Sequence, residues 1–187
     1  MRFFFIPFLF LFLEGLYGQN NAKNSRVVCE WSYIVSDEFS GKEKKALKAK
    51  IFFGYTPEAQ RRFFAEKDYL ECEGFLVQSE EKVALHLLFT FQDKEAETQM
   101  GSILSNATLT FNSIKGKQLT IKTYKGAAAQ KKGDLTVYEC SYPLPKSALK
   151  KLKNFEIDTV LLNWSKGFQV YDVFYLDFLK DQIRCIE

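Results

Sequence analysis

The sequence holds one histidine in 187 residues, four cysteines with no C-x-x-C spacing, and no glycine-rich turn of the kind that cradles phosphate. Each absence removes a class of chemistry. A lone His86, in "VALHLLFTF", cannot build a multi-histidine metal site. A serine or cysteine nucleophile would have to use that one imidazole, and no G-x-S-x-G turn accompanies it. The reading at this stage is that no cofactor is bound.

Charge of one sign is also lacking. Lys and Arg number 26 against 23 Asp and Glu, a net charge of +3. A dedicated nucleic-acid binder needs a basic excess gathered on one face. The lysines here fall in "GKEKKALKAK", "KGAAAQKKG" and "KKLK", beside turns or on a helix, where solvated surface is the expected role.

What is present begins with "MRFFFIPFLFLFLEGLYGQN". Arg2 precedes an apolar run from Phe3 to Leu13, and small or polar residues follow. That order is the three-part plan of a secretory signal peptide, and the run is shorter than the roughly 20 residues a membrane span needs. Cleavage is expected between Gly18 and Gln19, leaving residues 19–187 as one globular domain in the periplasm or outside the cell, with no membrane span. Loss of Arg2 and Glu14 cancels. In an oxidising compartment the even cysteine count permits disulfides, and four cysteines allow three pairings. The strand face of Cys72 and the helix position of Cys185 favour that pair as a disulfide.

Period-two alternation dominates the rest. It runs through 27–35, 46–53, 69–77, 83–91, 108–114, 118–124 and 135–142, and through two arms around "SKG" (165–167). The expected class is α+β, a largely antiparallel sheet of about nine strands with two or three short helices packed on one face. Hairpins are expected at 79–82, 115–117 and 165–167. Helices are expected at "TPEAQRRFFAEKD", which would bury Phe63 and Phe64, at "LPKSALKKLKN" and at "DFLKDQIRCIE", with a shorter turn at "DKEAETQM".

The stretch from 164 to 185 carries a resemblance. Trp164, Ser165 and Gly167, then Tyr171, Asp172 and Val173, then Asp177, Phe178, Gln182 and Cys185 look like the C-terminal end of uncharacterised exported proteins of the Bacteroidota. A Gln directly after the signal cut is similar to their habit. The resemblance implies export and brings no activity, ligand or catalytic residue.

Candidate chemistry therefore rests on carboxylates and aromatics. A three-residue loop at 165–167 would pair Trp164 with Phe168 and Val160 with Asp172. Asp158 and Asp172 then become diagonal neighbours about 7 to 8 Å apart, close enough to raise a pKa, hold a cation or flank a sugar. Trp164, Tyr171 and Tyr175 are candidates for a recognition surface, because such rings offer wide contact with a polar end. The favoured function is a non-enzymatic binding or structural module whose partner is an envelope protein, a glycan or a small apolar ligand. The alternative is a small hydrolase acting on a glycan through Asp158 and Asp172.

Overall fold

The computed structural model describes residues 27–36, 42–64 and 67–187. The expected signal peptide and its cut lie outside these residues. Among these described residues there are eleven strands: β1 (Trp31–Ser36), β2 (Glu43–Leu47), β3 (Lys50–Tyr55), β4 (Leu70–Ser79), β5 (Lys82–Phe91), β6 (Thr108–Ser113), β7 (Gln118–Lys122), β8 (Gln130–Lys132), β9 (Leu135–Leu144), β10 (Ile157–Trp164) and β11 (Gly167–Asp172). The helices are α1 (Ala96–Met100), α2 (Lys146–Leu152) and α3 (Phe178–Ile186). A 3-10 turn spans Glu58–Phe63.

All strand pairs are antiparallel, but they form two sheets rather than one. A seven-stranded sheet runs β1-β2-β4-β5-β9-β8, with β3 also on β4, and a four-stranded sheet runs β11-β10-β6-β7. The nine-strand expectation missed two features. The run at 46–53 divides into β2 and β3, because β4 pairs with β2 at Ala46 and with β3 only from Lys50, with a break in the ladder between them. Three polar residues, "QKK", form β8 without any alternation to announce it.

The sheets bury one face each against the other. Trp164 sits edge-on to Phe89, Phe91 and Tyr138, while Tyr171 stacks on Phe53 at 4.6 Å. Each such ring removes about 150–250 Å² from water, roughly 4–6 kcal/mol of gross hydrophobic free energy. That outweighs the cost of enclosing the Tyr171 hydroxyl, which accepts a hydrogen bond from Trp164 Nε1–H at 3.1 Å. Helix α3 joins this layer. Its Phe178 lies over Gly74, where an added Cβ would stand 3.2 Å from the ring, and stacks on Phe52 at 4.5 Å.

The hairpin at β10 and β11 corrects its expected register. The turn has two residues, Ser165 and Lys166, so that Trp164 pairs with Gly167, Val160 with Tyr171 and Thr159 with Asp172. A slip of one residue exchanges the faces of a strand. Trp164 and Tyr171 therefore share the core side. The turn docks on Gly101, whose φ of 74° and ψ of −138° suit glycine alone; a Cβ there would fall 2.0 Å from Ser165 Oγ.

Two further expectations are revised. The helix predicted from Thr56 is a 3-10 turn, since Thr56 Oγ1 donates to Asp68 and accepts the Tyr69 N–H instead of capping, and Phe63 is exposed while Phe64 packs on Tyr69. Cys185 is bonded to Cys29, with Cα atoms 5.5 Å apart, and not to Cys72. The inward stripe of α3 is Phe178, Leu179, Gln182, Ile183 and Ile186. Cys185 lies off that stripe, on the flank that meets the segment before β1, whereas Cys72 is fully enclosed as a free thiol.

Candidate functional site

The structure scatters the sequence-derived candidates. Trp164 and Tyr171 are buried and form no surface. Tyr175 is exposed and donates its hydroxyl to Asp181; that bond, with some burial, pushes its pKa up to about 12. Asp172 faces Thr159 on the open side of the four-stranded sheet. Asp158 stands in a bulge between Ile157 and Thr159 that turns Ile157 inward and leaves the aspartate in solvent. Its carbonyl accepts the Val173 N–H at 2.8 Å. Neither carboxylate lines either of the two clefts described below.

The larger of the two clefts, about 690 Å³, lies on the outer face of the seven-stranded sheet. Strand register builds its floor. Phe75 on β4, His86 on β5 and Ser141 on β9 are successive cross-strand partners, so one row carries all three side chains outward. The Phe75 and His86 rings stack with centroids 5.3 Å apart. Ser141 Oγ lies 3.0 Å from His86 Nδ1 and 3.4 Å from Nε2. Glu139, two residues earlier on the same face of β9, reaches Lys132 at 3.9 Å.

Residues 124–127 form a wall above the edge of β9. Thr123 Oγ1 lies within hydrogen-bond distance of the Lys125 and Ser141 carbonyls, at 2.6 and 2.9 Å, tying the segment to the strand. On its other side Ala127 and Ile103 exchange two backbone hydrogen bonds, of 2.8 and 2.9 Å. Gly126 permits that approach, for a Cβ there would meet the Ile103 carbonyl oxygen at 2.6 Å. Tyr124 is left 70% exposed at the rim.

Burial, aided by the charge of Lys44 and opposed by Glu139, lowers the His86 pKa from 6.5. The ring is thus neutral at physiological pH, with one nitrogen a donor and the other an acceptor. Its relation to Ser141 suits recognition better than nucleophilic attack. An oxygen almost equidistant from both ring nitrogens lies off both in-plane lone-pair directions, and a general base needs the hydroxyl proton along one of them. Among the described residues the imidazole's hydrogen-bonding neighbour is Ser141, and no carboxylate bonds either ring nitrogen to orient it.

A second cleft, of about 340 Å³, runs beside α3 under the Cys29–Cys185 bond and includes Tyr175. Its polar groups answer one another: Glu30 pairs with Lys48 and Lys50, and Asp181 with Tyr175 and Arg184. Among the described residues, no group of three His, Cys, Asp or Glu side chains could hold a metal ion, and no helix is long and apolar enough to cross a membrane. No protein-family model matches the chain, and no curated protein matches it.

Sequence reasoning set His86 aside as a catalytic or metal-binding residue and assigned it no site. The signal that could have found one was register. The two-residue turn of Glu80 and Glu81, with Glu80 at φ 56°, fixes Phe75 opposite His86.

Proposed function

We propose that this chain is an exported, non-enzymatic binding module, and that the cleft over Phe75, His86 and Ser141 is where it binds. The single observation that carries the reading is that cleft: about 690 Å³, open to solvent and floored by a half-buried imidazole and hydroxyl between aromatic side chains. Export rests on the N-terminal pattern and on the resemblance of residues 164–185, and the Cys29–Cys185 bond suits an oxidising compartment.

A carboxylate hydrolase gains no support from this arrangement, because Asp158 and Asp172 are both exposed to solvent and line neither of the clefts described above.

Two measurements test the proposal. N-terminal sequencing of protein recovered from the periplasm or medium is expected to begin at Gln19; a chain retained in the cytosol and beginning at Met1 contradicts export. A thermal-shift screen against metabolites, peptides and oligosaccharides is expected to give hits that raise Tm by mass action and vanish in His86→Ala. Hits that persist in that variant contradict the site.

A further inference from the structure

The polar groups in the cleft narrow the class of ligand. An anion such as a phosphate would want converging backbone N–H groups or several cations. Here Lys125 is the one cation in the lining, and the carboxylate beside it, Glu139, already reaches Lys132. A cation would want more than one carboxylate, and Glu139 is the one acid in the lining. A wholly apolar ligand would strand the hydrogen-bonding capacity of His86, Ser141 and Gln130 beneath it. What remains is an uncharged molecule with many hydroxyls and an apolar face.

We infer that the cleft binds a neutral saccharide, an inference that rests on the binding reading above and names its ligand. Tyr124, 70% exposed on a wall held from both sides, offers a ring face to the C–H face of a pyranose. Ser141 Oγ lies beside His86, 3.0 Å from Nδ1 and 3.4 Å from Nε2, and is aligned with neither nitrogen. That leaves the imidazole nitrogens and the Ser141 hydroxyl with in-plane capacity for sugar hydroxyls, which both donate and accept. Glu139 and Gln130 supply an acceptor and an amide on the same side. The openness of the cleft admits an oligomer lying along β9 between the sheet and the 124–127 wall.

The experiment titrates the intact, oxidised protein by calorimetry with neutral tetra- to hexasaccharides of glucose, xylose and mannose. Matched uronic acid oligomers, a pooled hexapeptide library and a dodecanoate solution serve as the other probes. Co-sedimentation with insoluble polymers of the same sugars separates a wall or surface glycan from a diffusible one, and binding in either form supports the inference. At least one neutral saccharide is expected to bind, with affinity falling about tenfold in Tyr124→Ala and by a similar factor in Ser141→Ala. Circular dichroism and Tm of both variants should match the parent. If peptides or dodecanoate bind with the same dependence on Tyr124 while neutral sugars do not, the saccharide inference is overturned and the cleft stands. Should no probe respond to either substitution, both fall. Saccharide binding indifferent to both variants also overturns the inference, since it places the sugar elsewhere.

Discussion

Gln182 on α3 completes the edge of β4 at Leu76: its Oε1 accepts the Leu76 N–H at 2.8 Å, and its Nε2 donates to the Gly74 carbonyl at 3.3 Å. The gap it fills is where the edge partner changes, since β2 pairs with β4 from Val77 onward and β3 only up to Gly74. A side-chain amide takes the place of a strand residue. In Gln182→Leu the helix keeps an apolar residue of similar size, but two buried backbone groups lose their partners. The expected cost is about 2–4 kcal/mol in urea denaturation. A loss below about 0.5 kcal/mol would mean that those groups find partners without it.

The disulfide spans a sequence separation of 156 residues and fastens the segment before β1 to α3. In the chain-entropy account a loop of that size restricts the unfolded chain by up to about 5 kcal/mol. Cys29→Ser is therefore expected to lower the denaturation midpoint markedly, and adding reductant should then change nothing further. Equal sensitivity of the parent and Cys29→Ser to reductant would refute the assignment.

The other two thiols report on the core. Burial holds Cys72 well above the usual thiol pKa and pushes Cys140 up to about 12, so both stay protonated and inert. Iodoacetamide at about pH 8 should modify neither in the folded protein. After denaturation without reductant, peptide mapping should recover those two cysteines alkylated and Cys29 joined to Cys185. A Cys72–Cys185 peptide contradicts the structure.

Gly101→Ala should destabilise by at least about 1–2 kcal/mol, because the backbone conformation alone costs that much for a residue with a Cβ. The same substitution forces Ser165 away from the Ser102 N–H that it accepts at 2.9 Å. Equal denaturation midpoints for parent and variant would show that the hairpin tip does not rest there.

His86 gives a pH signature. Its folded pKa lies below the 6.5 of the unfolded chain, so the folded state binds the proton less readily. The stability held by the neutral ring is complete above about pH 6.5 and is lost as pH falls from there through the lowered folded value. An NMR titration of the His86 Cε1 proton should give a midpoint under 6.5, and His86→Gln should flatten the stability profile in that range. A midpoint at or above 6.5 contradicts the burial argument.

Much of the fold was legible in the alternation. The 79–82 hairpin, the long strands on either side of it and both C-terminal helices appear where the sequence pattern puts them, and the strand expected at 118–124 is present over Gln118–Lys122. Partition into two sheets was not legible, because alternation marks which face is buried and not which strands share a ladder. Tyr171 was misplaced for a narrower reason. Ser165, Lys166 and Gly167 fit either a two-residue or a three-residue turn, and the choice moves every residue after it to the other face. Cys29 was missed as a partner since pairing depends on where a nonregular segment returns in space. The cleft depends on the 124–127 wall, whose place is set by Thr123 and Gly126 and by no pattern of polarity.

The most direct test of the central claim is a ¹H–¹⁵N shift map of the protein titrated with whichever probe the screens select. The account predicts that the perturbed amides cluster at Phe75, His86 to Leu88, Tyr124 to Ala127 and Glu139 to Ser141, with the His86 side chain shifting in step. Perturbations centred instead on Val27 to Glu30 and Tyr175, or on β11 around Phe168 and Asp172, would contradict it.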